Sequence, residues 1–384
     1  MNNFTFYNPV RVHFGEGQIK KIADEIPRDA KVLITYGGGS VFKNGVMDQV
    51  DAALAGRNVV KFGGIEPNPT YETLMKAVAL IREQGLNYLL AVGGGSVLDG
   101  TKFIAAAVPF KGEPWDILAK GAHVASALPI GSVLTLPATG SESNTAAVVS
   151  RRETGDKLAF LSPEVFPKFA VLDPTTTYTL PPRQVGNGVV DAFVHVMEQY
   201  MTFPADAKIQ DRFAEGILLT LIEEGPKALA TPTDYAVRAN VMWAATMALN
   251  GLIGVGVPQD WSTHAIGHEI TAMHGLDHAQ TLAVVLPAML QVRRDAKRGK
   301  LLQYAERVWG LRDGSEDARI DGAIEKTRGF FESMQVGTRF SAYGIKEPAL
   351  DAMLAKLLEH GGAKLGERQE VTEDVSRRVL ELAR

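Results

Sequence analysis

The 384-residue sequence predicts an α/β half built on a parallel sheet, followed by an all-α half. Three observations carry this. Over roughly the first 180 residues, short apolar runs alternate with helical patterns, the signature of βαβ units. After Leu180-Pro181-Pro182 strand signals nearly vanish, and long amphipathic or buried helical segments take over. No low-complexity or charged linker separates the halves. A boundary near residue 180 is therefore expected, dividing 1–179 from 180–384, with the halves packed around a cleft.

Each element follows from its residues. Lys31–Tyr36 reads as a buried strand and runs into Gly37-Gly38-Gly39-Ser40; a helix-like stretch follows from Asn44 to Ala55. Val59–Phe62 is a second strand, ending in Gly63-Gly64, and Tyr71–Gln84 has helical spacing. Asn87–Val92 is a third strand, running into Gly93-Gly94-Gly95-Ser96, and Asp99–Ala107 is again helical. Ser132–Leu136 and Phe169–Leu172 are later strands. No charge occurs between Arg238 and Asp260, but Asn240, Asn250, three glycines and Pro258 interrupt that stretch. A membrane span needs about 20 strongly apolar residues. Val241–Leu249 is accordingly expected to be a buried core helix.

Composition narrows the chemistry. With 46% hydrophobic and 22% charged residues and a net charge of −4, the chain fits a soluble globular protein. The charge is spread along the chain and leaves no footprint for nucleic acid. Cysteine is absent, which excludes disulfides, zinc ribbons, iron–sulfur clusters and thiol nucleophiles. Any metal must be held by nitrogen and oxygen. The N-terminus lacks a basic region followed by an apolar one, so no signal peptide and a cytoplasmic location are expected.

The pentapeptide Gly-Gly-Gly-Ser-Val occurs twice, at Gly37–Val41 and Gly93–Val97, each time between an apolar strand and a helix. Glycine lets a ligand approach the backbone, and a helix N-terminus offers unpaired N–H groups to phosphate. Two ordinary tight turns are the plain alternative, but their repetition favours phosphate or dinucleotide binding. The G-x-G-x-x-G fingerprint is not matched, since Leu98 stands where its third glycine belongs. Nor is a P-loop, because Gly95 to Gly100 is followed by Thr101-Lys102 in reversed order. The first loop has no acidic residue for a ribose 2′-hydroxyl. Ser40 and Lys43 instead suit a 2′-phosphate, which favours NADP over NAD.

Four of the eight histidines fall between His264 and His278. His264 and His268 share a helix face; Gly275 is expected to end that helix, with His278 just beyond. Upstream, Asp191 and His195 are also four residues apart, on an apolar helix. A buried carboxylate and imidazole need a partner to offset desolvation. That partner is a metal or, on the plainer reading, each other. Together the two pairs offer three imidazoles and one carboxylate, a set that suits Zn²⁺ or Fe²⁺.

These residues carry a resemblance. Gly37–Ser40, Glu66-Pro67-Asn68-Pro69, Gly93–Asp99, Leu136–Glu142, Asp191–His195 and the His264–His278 segment resemble the iron-containing (group III) alcohol dehydrogenases, in particular the NADPH-linked aldehyde reductases and butanol dehydrogenases among them. The likeness spans essentially the whole chain. It implies a dehydroquinate synthase-like fold: a dinucleotide-binding α/β domain and a helical metal-binding domain, as a homodimer. It implies Asp191, His195, His264 and His278 as metal ligands, with Zn or Fe both open, and His268 and His274 near the nicotinamide. It implies Gly94, Gly95 and Ser96 at the pyrophosphate, with Asp99 nearby. Gly38, Gly39 and Ser40 are implied at the 2′-phosphate, and Asn68 and Tyr71 beside the adenosine. Thr135, Thr139, Asn144 and Lys157 are implied along the cofactor cleft.

The expected activity is metal-dependent, NADPH-linked reduction of aldehydes to primary alcohols, and its reverse. The metal would polarise the carbonyl and NADPH would give hydride, with His268 first and His274 second as proton relay. Rivals are an NAD-linked glycerol dehydrogenase, a lyase of the dehydroquinate-synthase kind, and a non-catalytic metal- or nucleotide-binding protein.

Overall fold

The computed structural model describes residues 1–384. Its strands are β1 (Arg11–Phe14), β2 (Lys31–Tyr36), β3 (Asn58–Phe62), β4 (Tyr88–Gly94), β5 (Ile130–Leu136), β6 (Ala146–Arg151), β7 (Asp156–Leu161) and β8 (Phe169–Leu172), with a late pair β9 (Lys364–Leu365) and β10 (Val371–Thr372). The helices of the first half are α1 (Ile22–Glu25), α2 (Ser40–Lys43), α3 (Val46–Ala53), α4 (Tyr71–Gln84), α5 (Gly95–Ala107) and α6 (Asp116–Ala119). Those of the second are α7 (Pro182–Tyr200), α8 (Lys208–Ala230), α9 (Tyr235–Ala248), α10 (Ser262–His274), α11 (His278–Val292), α12 (Arg298–Arg307), α13 (Glu316–Ser333), α14 (Leu350–Glu359) and α15 (Glu373–Leu382).

The residues group into two compact units. One holds Tyr7–Leu180 and Pro232–Thr246; the other holds Met1–Phe6, Pro181–Thr231 and Met247–Arg384. A single cut between 179 and 180 thus leaves two segments on the other side: the first six residues, and most of α9. Met242 of α9 is buried in the core of the α/β unit. No helix of the protein is long and apolar enough to cross a membrane.

In the α/β unit six parallel strands run in the order β1-β8-β5-β4-β2-β3. Both faces are covered. Val32, Ile34, Leu90, Val92, Val133 and Val171 pack with Ile19, Ile22 and α3 on one side. Leu33, Leu89, Ala91, Leu134, Ala170 and Leu172 pack with α4 and α5 on the other. Strands covered on two faces read as unbroken apolar runs. Each fully buried Val, Leu or Ile contributes about 1.5–3 kcal/mol. The strand order reverses between β2 and β4, which pair directly, so the loops after these two strands open together at the sheet's carboxyl end. Ligands of doubly wound sheets bind at such a switch point.

Three strands of the first half were not foreseen. β1 is short and carries Arg11 and His13, yet it joins the sheet edge beside β8. β6 and β7 form an antiparallel hairpin outside the main sheet. The helix expected over Asn44–Ala55 is α3, which starts after Gly45 in a left-handed conformation; the single turn α2 before it was not expected.

The second unit is helical apart from β9 and β10. Pro182 starts α7, where its fixed φ and missing N–H cost nothing. Ile266 and Ile270 of α10, Val284, Val285 and Met289 of α11, and Leu350, Met353 and Leu354 of α14 form one of its cores.

Candidate metal centre and dinucleotide loops

Three helices of the second unit supply one cluster of donors. Asp191 and His195 lie a turn apart on α7, His264 lies on the first turns of α10, and His278 opens α11. One ligand atom from each of the four lies within 4.8 Å of the others. The Nε2 atoms of His195 and His278 stand 3.7 and 3.6 Å from Asp191 Oδ1. The rings of His264 and His278 are centred 5.2 Å apart. Asp191, His195 and His264 are buried and His278 is half-buried.

Local structure holds this geometry. Gly275 caps α10 in the left-handed region, and Asp277 precedes α11, with its N–H on Gln280 Oε1 at 3.0 Å. Asp277 is also tied to α7: its Oδ2 accepts from Asn187 Nδ2 at 2.7 Å and pairs with Arg183 at 3.3 Å. At the other end of the site, Thr263 N donates to Glu198 Oε1 at 2.9 Å and Asp260 N to the Glu198 carbonyl at 2.8 Å. Burial and the nearby Asp260 push the Glu198 carboxyl up, against the Thr263 hydrogen bond and Lys297.

The donor set fits a divalent metal. Three imidazoles and one carboxylate converge. Tetrahedral Zn–N distances of 2.0–2.1 Å imply neighbouring donors roughly 3.4 Å apart, close to the 3.6 and 3.7 Å found here.

The other two candidate histidines part company. His268 joins the cluster, its ring 5.4 Å from that of His278 and 6.4 Å from that of His264. His274 ends α10, ten residues and roughly 15 Å along the axis from His264. Its ring packs against Phe340 at 6.2 Å, and burial lowers its pKa. Trp261 stands edge-on to His264 at 5.1 Å, with a left-handed φ of 64° and its indole N–H on Gln259 Oε1 at 2.8 Å.

The candidate cofactor residues all lie in the α/β unit. The loop after β2 carries Gly38, Gly39 and Ser40; Gly39 takes φ 89°, and Gly38, Ser40 and Lys43 are exposed. The loop after β4 carries Gly94, Gly95 and Ser96, and α5 starts at Gly95. A Cβ on Gly95 would lie 2.4–3.0 Å from the Thr139 side chain, so only glycine permits this approach. The register between β4 and β5 slips between Gly93 and Gly94, which pair with Leu134 and Leu136, so Thr135 is the bulged residue.

Hydrogen bonds link most of the others. Lys157 Nζ donates to Asn68 Oδ1 at 2.9 Å, and Asn68 N to Ser96 Oγ at 3.3 Å, which holds Asn68 at φ 55°. Asn144 Nδ2 donates to the Thr139 carbonyl at 3.3 Å, while Asn144 Oδ1 accepts from Lys102 Nζ at 2.9 Å. Asp99 turns inward: it accepts from Ser141 Oγ at 2.7 Å and Val148 N at 3.0 Å, and burial raises its pKa. Tyr71 is also engaged within the unit. Its ring packs on Phe103 and Trp115, Arg151 lies over it at 5.3 Å, and its hydroxyl bonds Glu113.

Two groups escaped the sequence reading. Lys102, one residue past the mismatched P-loop position, is fully buried on α5, bonded to Asn144 Oδ1 and the Ala146 carbonyl. Glu198 lies behind His264. Its signal was available, as a third polar residue on the apolar face that carries Asp191 and His195.

Comparison with known proteins identifies the family. The family model "iron-containing alcohol dehydrogenase" matches residues 9–174, and the C-terminal model of the Fe-containing alcohol dehydrogenase family matches residues 186–380. The chain is 66% identical to the NADPH-dependent aldehyde reductase YqhD of Escherichia coli over 387 residues, covering 100% of each. The crystal structure of E. coli K-12 YqhD superposes with a TM-score of 0.99 over 100% of this chain and 99% of that one. A Thermotoga maritima NADH-dependent butanol dehydrogenase A, 34% identical, superposes with a TM-score of 0.95, covering 100% of this chain and 99% of that one.

Proposed function

The chain belongs to the iron-containing alcohol dehydrogenase family, and from that premise we propose that it reduces aldehydes to primary alcohols with NADPH and catalyses the reverse oxidation. The observation that carries this reading is the convergence of Asp191, His195, His264 and His278 on one point in a chain with no cysteine. The full-length likeness to an NADPH-dependent aldehyde reductase supports the substrate and the cofactor.

In this reading the four residues hold Fe²⁺ or Zn²⁺, both of which suit imidazole and carboxylate donors. A divalent metal there supplies Lewis-acid polarisation of a carbonyl oxygen, and NADPH supplies hydride. The protein's own groups do the rest. The glycine loops offer backbone N–H groups to the pyrophosphate. Ser40 and Lys43 meet the 2′-phosphate by hydrogen bond and charge, with no carboxylate in the loop to repel it. Asn68, Thr135, Thr139, Asn144 and Lys157 line the cofactor. His268, beside the donor cluster, carries a proton on an imidazole nitrogen to the product alkoxide.

The test is NADPH oxidation at 340 nm by metal-replete protein against a panel of short aldehydes, with elemental analysis of the same sample. Absence of NADPH oxidation with every aldehyde would overturn the reading. Turnover of a polyol with NAD alone would favour a glycerol dehydrogenase.

A homodimer fits the exposed aromatic pair Phe14 and Trp243, which meet edge-on at 5.8 Å at the open β1 edge of the sheet. Light scattering in solution decides it. A cytoplasmic setting fits an NADPH-consuming enzyme, and cell fractionation checks it.

A further inference from the structure

We propose that Glu198 is a positioning residue for His264 and, through it, for the metal; the proposal rests on the metal reading above. Glu198 lies on α7 three residues past His195 and seven past Asp191, so all three share one helix face. Its side chain is 2% exposed. Oε1 is committed to the Thr263 N–H. Oε2 is buried with no hydrogen-bond partner and lies 3.9 Å from His264 Nδ1.

A buried acceptor left in this state carries an uncompensated desolvation cost. An imidazole N–H turned toward it relieves that cost. A histidine that binds a metal through one ring nitrogen donates the other N–H, and a carboxylate there fixes the tautomer and the ring orientation. With Nδ1 given to Glu198, His264 presents Nε2 to the cluster. His195 and His278 already direct Nε2 at Asp191.

Asp260, the carboxylate nearest in effect to Glu198, is engaged elsewhere. Asp260 is committed to Lys297 and to Ser262, while Lys297 also bonds the Met201 carbonyl at 2.7 Å and Glu367 at 3.2 Å. Glu198 also anchors the start of α10 through Thr263 N and Asp260 N. One residue therefore sets both the position of the helix that bears His264 and the rotation of its ring.

The experiment titrates Zn²⁺ into metal-free wild type, Glu198→Gln, Glu198→Asp and Asp191→Ala, and records the Co²⁺ absorption spectrum and the metal-free melting temperature of each. Glu198→Gln retains an acceptor for Thr263 N–H but removes the carboxylate. It is expected to bind Zn²⁺ about 10–100-fold more weakly, with an altered Co²⁺ spectrum and a metal-free melting temperature near wild type. Glu198→Asp, which keeps the carboxyl group but withdraws it by one methylene, is expected to fall between wild type and Glu198→Gln. If Glu198→Gln does not fold, the Asp variant decides, and wild-type Zn²⁺ affinity in it overturns the proposal. Wild-type affinity and spectrum in Glu198→Gln overturn it as well, as does a lowered metal-free melting temperature with unchanged affinity. Wild-type affinity in Asp191→Ala overturns instead the metal reading beneath it.

Discussion

His195 and His264 stack face to face, with ring centroids 4.9 Å apart and planes 18° from parallel. Two buried imidazoles so placed repel each other when both are protonated, whereas one cation shared between them draws them together. Chelation is therefore expected to lower the melting temperature, and returning Zn²⁺ or Fe²⁺ to restore it. At a metal concentration 100 times Kd the gain is about 2.7 kcal/mol. Differential scanning calorimetry with and without chelator measures it, and equal melting temperatures would count against a metal in this cluster.

Asp191 is the one carboxylate of the donor set. Asp191→Ala is expected to abolish metal retention and turnover while leaving NADPH binding intact, because the candidate dinucleotide residues lie in the other unit. Elemental analysis and NADPH fluorescence titration read the two effects separately. Full activity in a metal-free Asp191→Ala protein would sink the mechanism.

The reciprocal change is Gly95→Ala. Its new methyl would sit on the Thr139 side chain at 2.4–3.0 Å. NADPH affinity is expected to fall by more than about 10-fold, equivalent to 1.4 kcal/mol, with Zn²⁺ affinity unchanged. Loss of both together would mean that the change damages the whole fold.

Cofactor choice is open to a single substitution. A Cβ on Gly38 meets nothing within 4 Å, and the position does not take a positive φ. Gly38→Asp therefore fits, and it puts a carboxylate where the 2′-phosphate is expected. The ratio of kcat/KM for NADPH to that for NADH is expected to drop about 10–100-fold, or 1.4–2.8 kcal/mol. An unchanged ratio would remove the 2′-phosphate from this loop.

Burial brings Lys102 down to about 8 from 10.5, against the pull of Asp99 and Glu142. The unfolded chain thus binds more protons than the folded one between these values, so this group makes stability rise with pH across that window. Below it the cost of burying the ammonium is fully present. The stability difference between wild type and Lys102→Met is expected to shift in favour of wild type from pH 8 to pH 10. Urea unfolding at both values measures it, and a pH-independent difference would contradict it.

The architecture was legible where periodicity was strong. β2, β4, β5 and β8 are buried on both faces, so their apolar runs stood out, and α4 begins and ends at the residues its spacing indicated. β1 was not legible, because two of its four residues are polar and its pairing with β8 lies far along the chain. The β6–β7 hairpin was hidden by its mixed composition. The donor set was visible in residue types and spacing, yet only folding shows that His268 stays with it while His274 departs. Asp99 and Tyr71 carried the family's pattern, but their partners inside the unit, Ser141 and Val148 for one and Glu113 and Trp115 for the other, come from distant segments.

The donors come from three helices, and the last of them belongs to the first residue of α11. During synthesis Asp191, His195 and His264 leave the ribosome before His278 does. They cannot close a four-donor cage until α11 folds back along α7. A nascent chain that ends short of α11 therefore offers only three of the four donors.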